Sequence, residues 1–235
     1  VNSKQQPTQG RTLWERISGS NKPVPVEQRY TNPANVKIGD VMSVNTIDHS
    51  HLLFTVKELW QWTRVVNGNQ RLITDYKLLT RPHDGNDVEI IVRVIPRENP
   101  DPLAKYTHHF CVLRKFFECG WQDEAERNGI LEAVSDPAGE LVYQRGEPNE
   151  ERFWRINSKL PYDCDVAVIA DMNGDGKIEE SEVTHARYKL WDFHRETRDE
   201  ANQPITEYLF VHQDQDNKDF VMWRGKEVDP TLIRA

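Results

Sequence analysis

From Val36 onward apolar and polar residues alternate along much of the chain. In the run from Leu53 to Val66, the residues Phe54, Val56, Trp60, Trp62 and Val66 all fall on one parity. A period of two marks a half-buried strand, whereas a helix would scatter those residues around its axis. Asn67-Gly68-Asn69 follows, a set of residue types that accepts the positive φ of a tight hairpin turn, and Gln70 to Leu79 is expected to return antiparallel. With Gly68 at the centre of the turn, Trp60 is predicted to face Tyr76. Residues 1–35 have a different texture. They hold Pro7, Gly10, Gly19, Pro23 and Pro25, and only Leu13, Trp14 and Ile17 have the spacing of a short helical turn. This segment reads as an arm that is ordered by lying on something else, because Trp14 and Tyr30 are costly to leave in water.

The chain also echoes itself. Trp60-x-Trp62-x-Arg64 is matched by Trp191-x-Phe193-x-Arg195, and Ile73-Thr74-Asp75-Tyr76 by Ile205-Thr206-Glu207-Tyr208. Asp87 to Arg93 is matched by Asp219 to Arg224, and the interval from Trp60 to Arg93 equals that from Trp191 to Arg224. Each copy reads as a three-stranded antiparallel meander, and Trp191 is predicted to face Tyr208 as Trp60 faces Tyr76. Ile130-x-Glu132 and Phe153-Trp154-Arg155 mark a degenerate third copy between them. The expected organisation is an arm (1–35), a first β meander unit (36–103), a middle β segment (104–164), and a last unit (165–235). The fold class is mainly β, with repeated antiparallel meanders arranged as a barrel or sandwich. Its aromatic residues are expected to form the core, and Arg64 and Arg195 to stack on rings or pair with carboxylates of a neighbouring strand.

Composition narrows the functions. The 235 residues include seven Trp, seven Tyr and eight Phe, too many aromatics for a disordered chain. Thirty Lys and Arg stand against 38 Asp and Glu, giving a net charge of −8. That balance argues against gripping a nucleic-acid backbone, which takes clustered positive charge. No apolar stretch approaches the ~20 residues of a membrane-spanning helix, so no membrane span is expected. Cys111, Cys119 and Cys164 are an odd set without a CxxC or zinc-type spacing. Three buried thiols are expected, with one bridge as the alternative. The chain opens at Val1 without a charged and apolar leader.

One motif carries chemistry: Asp171-Met-Asn173-Gly-Asp175-Gly176-Lys177-Ile178-Glu179-Glu-Ser-Glu182. Asp171, Asn173 and Asp175 offer side-chain oxygens at alternate positions, and Gly176 allows a sharp turn. Lys177 would contribute its carbonyl, Glu179 would act directly or through a water, and Glu182 would close the site with both oxygens, while Ile178 points inward as an anchor. A hard dication takes six to eight such oxygens at ~2.3–2.6 Å. These twelve residues resemble the calcium loop of the EF-hand family, which implies Ca2+ as the bound ion. The flanks depart from that family. Asp165 to Ala170 reads as a strand where an entering helix belongs, and Glu179 to Ala186 has length for two helical turns at most. A strand–calcium loop–short helix insertion is therefore expected. Asp214-x-Asp216 lacks the glycine and closing Glu of a second loop, so a paired, opening switch has no partner.

Other constellations are weaker. His109 and Cys111 share a strand face beside His108, which suits a metal or Cys–His site but more simply a buried polar strand. His49 and His51 share a face near Asp48. Arg114 and Lys115 read as isolated basic residues in an acidic chain. No HExxH, GxSxG, GxxxxGK[ST] or GxGxxG occurs. Val36-Lys-Ile-Gly-Asp40 followed by a Phe-Thr-Val strand, and the later Glu207-Tyr-Leu strand ending in Trp, resemble bacterial β-rich domains of unknown function. That resemblance implies a bacterial source and a meander or barrel architecture. The expected function is a non-enzymatic, calcium-binding β protein with a structural or assembly role and a protein partner or a second copy to bind. The alternative is a calcium-stabilised extracellular hydrolase or carbohydrate-binding protein. A lone calcium loop suits millimolar calcium, so an extracytoplasmic setting is expected, with the cytoplasm as the alternative.

Overall fold

The two meanders expected from the alternation are built as β2 (Leu53–Val66), β3 (Asn69–Thr80) and β4 (Val88–Pro96), and as β9 (Val183–Arg198), β10 (Pro204–Asp214) and β11 (Phe220–Glu227). The computed structural model describes residues 36–46, 52–66, 69–80, 87–97, 107–156, 161–174, 178–199 and 201–234. The expected arm, 1–35, and the Asp48, His49 and His51 group lie outside the described residues. The remaining described strands are β1 (Val41–Val44), β5 (His108–Cys119), β6 (Glu140–Tyr143), β7 (Glu151–Arg155), β8 (Tyr162–Ala170) and β12 (Ile233–Arg234).

Eight strands close into an antiparallel barrel in the order β2-β3-β4-β5-β11-β10-β9-β8, with β8 sealing the ring by pairing β9 on one side and β2 on the other. Closure removes the sheet edges that would otherwise invite pairing with another chain. The long strands β2 and β9 extend beyond the seal. The start of β2 pairs with β1, which carries β12, and the end of β9 pairs with β7, which carries β6.

The hairpin register departs from the expected one. Val66 pairs with Asn69, so two residues connect the strands rather than three, and Trp60 stands opposite Asp75 instead of Tyr76. A slip of one residue moves a side chain to the other face. Tyr76 is accordingly outside the barrel with Leu78, while Trp60 and Trp62 are inside. A register shift between Val56 and Glu58 separates faces within β2 itself. Phe54 and Val56 point outward and Trp60 and Trp62 inward, although all four share one sequence parity. Trp191 likewise stands opposite Val211 rather than Tyr208, and it packs on the outer face. The matching segments therefore share a meander topology but place their tryptophans on opposite faces.

Three apolar layers result. Inside the barrel, Trp62, Ile73, Cys164, Val166 and Leu190 pack beside Ile91, Cys111, Leu113, Phe210 and Trp223. Outside, β1 and β12 bring Met42, Val44 and Ile233 onto Phe54, Val92 and Phe110. The second outer cover was not expected from the sequence. It includes α1 (Glu124–Val134), within the middle segment that read as β. Asp123 caps this helix by accepting from the Glu126 N–H at 3.0 Å, and Ile130 and Val134, four apart, are buried against Leu209 and Phe220 with Phe153 of β7. The three cysteines are free and buried.

Candidate metal centre

The 171–182 segment is the connection between β8 and β9. The last pair before it is Ile169 with Val183, so the loop spans a hairpin whose two strands seal the barrel. As expected, a strand leads in. The exit is a single 3-10 turn, Glu180–Glu182, before β9 begins at Val183. The short helix expected there is this one turn and no longer, because β-branched Val183 and Thr184 already pair with Ile169 and Val168.

Asp171 turns the chain at the start of the loop. Its Oδ1 accepts from the Gly174 N–H at 2.6 Å, and Gly174 takes a φ of +75°, a conformation that favours glycine. Glu182 ties the far end back to this start. Its Oε1 accepts from Met172 N at 2.8 Å and Asn173 N at 3.1 Å, and its Oε2 accepts from Glu179 N at 3.0 Å. The Glu182 carboxyl is held below its ordinary range, first by the Glu179 N–H, then by those of Asn173 and Met172 against burial and the charge of Asp171. It is therefore an ionised carboxylate on the near side of the loop. Oε2, which accepts one bond, keeps a lone pair to spare, whereas Oε1 already accepts two.

Of the six expected ligands, Asp171, Asn173, Glu179 and Glu182 are among the described residues, and Asp175 and Lys177 are outside them with Gly176. The structure brings Glu182 against the backbone of positions 172, 173 and 179. Among the described residues, no group of three or more His, Cys, Asp or Glu side chains is close enough together to hold an ion. Ile178, expected to anchor the loop from within, is 44% exposed.

The other expected constellations resolve into packing. His109 does share the inner face with Cys111, but its Nδ1 pairs with Glu227 Oε1 at 2.6 Å. Burial, more than any neighbouring charge, drives the Cys111 thiol far above its ordinary value, which keeps it in the neutral thiol form. Arg64 and Arg195 both stack and pair. Arg64 Nη1 meets Asp192 Oδ2 at 2.6 Å with its guanidinium over the Tyr162 ring, and Arg195 Nε meets Glu207 Oε2 at 2.6 Å with its guanidinium over Phe153. Arg114 and Lys115 are not isolated: they line one groove with Arg195, Arg198, Arg224 and Lys226.

A buried polar network inside the barrel had no local signal in the sequence. Asp75 accepts from Arg93 and from Trp62 Nε1 at 2.8 Å, and Arg93 Nη2 lies 3.1 Å from His212 Nε2. Burial opposes the Arg93 charge, but the carboxylate of Asp75 outweighs it and raises the guanidinium pKa. The expected register, with Tyr76 opposite Trp60, put Asp75 on the other face, and nothing in the spacing names Arg93 or His212 as partners. No family model, curated protein or solved structure matches the chain.

Proposed function

We propose that this chain is a non-enzymatic, calcium-binding β barrel with a structural or interaction role, in which one Ca2+ orders the 171–182 loop. The observation that carries this reading is the Glu182 carboxylate, which folds back onto the backbone N–H groups of Met172, Asn173 and Glu179. Position 12 of the motif thereby lies beside positions 2, 3 and 9, which supports a role for Asp171, Asn173 and Glu182 as ligands of one ion. Asp175, the Lys177 carbonyl and Glu179 would complete the set. A hard dication supplies the positive charge that this run of carboxylates lacks.

The placement gives the ion a purpose. The loop joins β8 to β9, and β8 is the strand that seals the ring against β2. Fixing the loop fixes the hairpin that closes the barrel. A single unpaired loop is expected to bind in the range of ~10⁻⁵–10⁻³ M, which suits an extracytoplasmic setting. Native mass spectrometry with and without a chelator tests the reading. One calcium per chain, removed by chelator and by Glu182→Gln, supports it, and an unchanged mass in millimolar calcium overturns it. The same spectra report whether calcium also governs association between copies.

A further inference from the structure

Strands β5, β9, β10 and β11 carry a groove of about 430 Å³ on their outer side, within the range of small-molecule sites, ~300–1,000 Å³. Thr46, just beyond β1, contributes to its lining, as does Phe116, which packs against the outer cluster beneath α1. The lining holds six cationic side chains, Arg114, Lys115, Arg195, Arg198, Arg224 and Lys226, and one carboxylate, Glu207; just outside it Glu151 pairs with Arg195 and Arg224, and Glu118 with Lys115. The chain as a whole has a net charge of −8. Positive charge is thus concentrated in one concave place on an acidic molecule, where low-dielectric walls focus its field.

Strand register explains the gathering. Arg224 stands directly opposite Arg114, and Glu207 stands opposite both Lys226 and Arg195. The register thus sets two guanidinium groups side by side on adjacent strands. The centre of the site is rigid. Arg224 meets Glu151 at 2.6 Å and Glu207 at 2.7 Å, and Arg195 meets Glu151 at 2.7 Å and Glu207 at 2.6 Å. Two guanidinium groups are thereby locked in orientation, while exposed Arg114 and Arg198 stand at the rim. Thr46 is only 8% exposed, and its hydroxyl makes no hydrogen bond within the described structure. A buried hydroxyl in that state is costly, and a ligand oxygen would satisfy it.

We infer that this groove binds a small organic monoester of phosphate or sulfate. A tetrahedral oxyanion presents three acceptor oxygens and so engages guanidinium groups from several strands at once. A monocarboxylate presents two, and Glu207 already supplies that chemistry to Arg195 and Arg224. Val112, Phe116 and Ile205 offer apolar surface for the organic part. This site stands apart from the calcium loop and does not depend on it.

Calorimetric titration of the full chain with phenyl phosphate, phenyl sulfate and inorganic sulfate tests the inference, with phenol and a glutamate-rich peptide as controls. One aryl ester is expected to bind saturably at one per chain and more tightly than inorganic sulfate, with phenol silent. Preference for phenyl phosphate assigns a dianion, and preference for phenyl sulfate a monoanion. Arg114→Gln with Arg198→Gln leaves the Arg195–Arg224 centre intact and is expected to weaken binding by about tenfold or more, while Glu182→Gln leaves it unchanged. Circular dichroism reports whether the double variant folds, and Lys226→Gln serves in its place if it does not. Failure of both esters to saturate, affinity undiminished in the rim variants, or binding of the glutamate peptide alone would each overturn the assignment.

Discussion

Arg93 and Asp75 face each other across β3 and β4 as a two-point ion pair inside the barrel, Nε to Oδ1 at 2.8 Å and Nη2 to Oδ2 at 2.7 Å. Both side chains are almost wholly buried, and the Arg93 guanidinium also lies 4.3 Å from the centre of the Phe210 ring. Taking two charges from water is expensive, and the pair repays it only through this geometry and the third bond that Trp62 donates to Asp75.

Removing one partner is expected to be far worse than removing both. Asp75→Asn leaves a buried guanidinium without its counter-ion and should cost about 3–5 kcal/mol in urea unfolding. Asp75→Leu combined with Arg93→Met, apolar residues of similar length, should recover much of that loss. A single variant within about 1 kcal/mol of the wild type would mean the pair is not the anchor of the interior.

His212 gives the same network a pH dependence. Its Nε2 must be unprotonated to accept from Arg93 Nη2, and burial first, then the Arg93 charge, hold its pKa well below the ordinary histidine value. Below about pH 6.5 the unfolded chain takes up a proton at this residue and the folded chain does not. Stability is therefore full above that pH and falls as pH drops toward the depressed folded value, by up to about 1.4 kcal/mol per unit. Denaturation at about pH 7.5 and about pH 5.5 should show a smaller difference in His212→Gln, which keeps an acceptor for Arg93 but does not titrate.

Strand positions were legible because burial on one face leaves a period of two: β2 was expected from Leu53 to Val66 and forms there. Faces were less so. A register shift beside Lys57 and a two-residue turn each change parity locally, and neither leaves a compositional mark that separates Phe54 from Trp62. The 171–182 motif was legible because its candidate ligands lie within twelve residues. The groove was not, since Arg114, Arg195 and Arg224 meet only through the order of strands in the closed ring. The helix α1 had a readable signal, Asp123 three residues before Glu126, which the surrounding strands obscured.

Gly225 is expected to be irreplaceable where β11 meets β5. A Cβ there would lie 1.9 Å from the Val112 carbonyl oxygen and 2.8 Å from Leu113 Cα, both backbone atoms that cannot swing aside. Gly225→Ala should destabilise by at least the ~1–3 kcal/mol of an overpacked core. Gly129→Ala offers the contrast. It sits inside α1 with nothing within 4 Å of the added methyl, so it should stabilise by about 0.5–1 kcal/mol. Equal effects from the two alanines would contradict the close approach of the strands.

The calcium loop makes the prediction on which the proposed function turns. Asp171, Asp175, Glu179, Glu180 and Glu182 carry five negative charges within twelve residues, offset by Lys177 alone. Without a cation these carboxylates repel one another at short range, and the Glu182 clasp works against that repulsion. An ion that binds only the folded state stabilises it by RT ln(1 + [L]/Kd), about 2.7 kcal/mol at a hundredfold excess over Kd. Because the loop sets the hairpin that seals β8 between β2 and β9, the gain should appear in the cooperative melting of the whole barrel rather than in local order. Thermal melts of the wild type should therefore move to higher temperature in calcium than in chelator. Glu182→Gln keeps an oxygen for Met172 and Asn173 but loses the charge and the bond accepted from Glu179, so its midpoint in chelator should be slightly lower and its response to calcium small. A wild-type midpoint indifferent to calcium, or one that shifts equally in the variant, would remove the loop as a stabilising ion site and leave the barrel to close on its strand pairing alone.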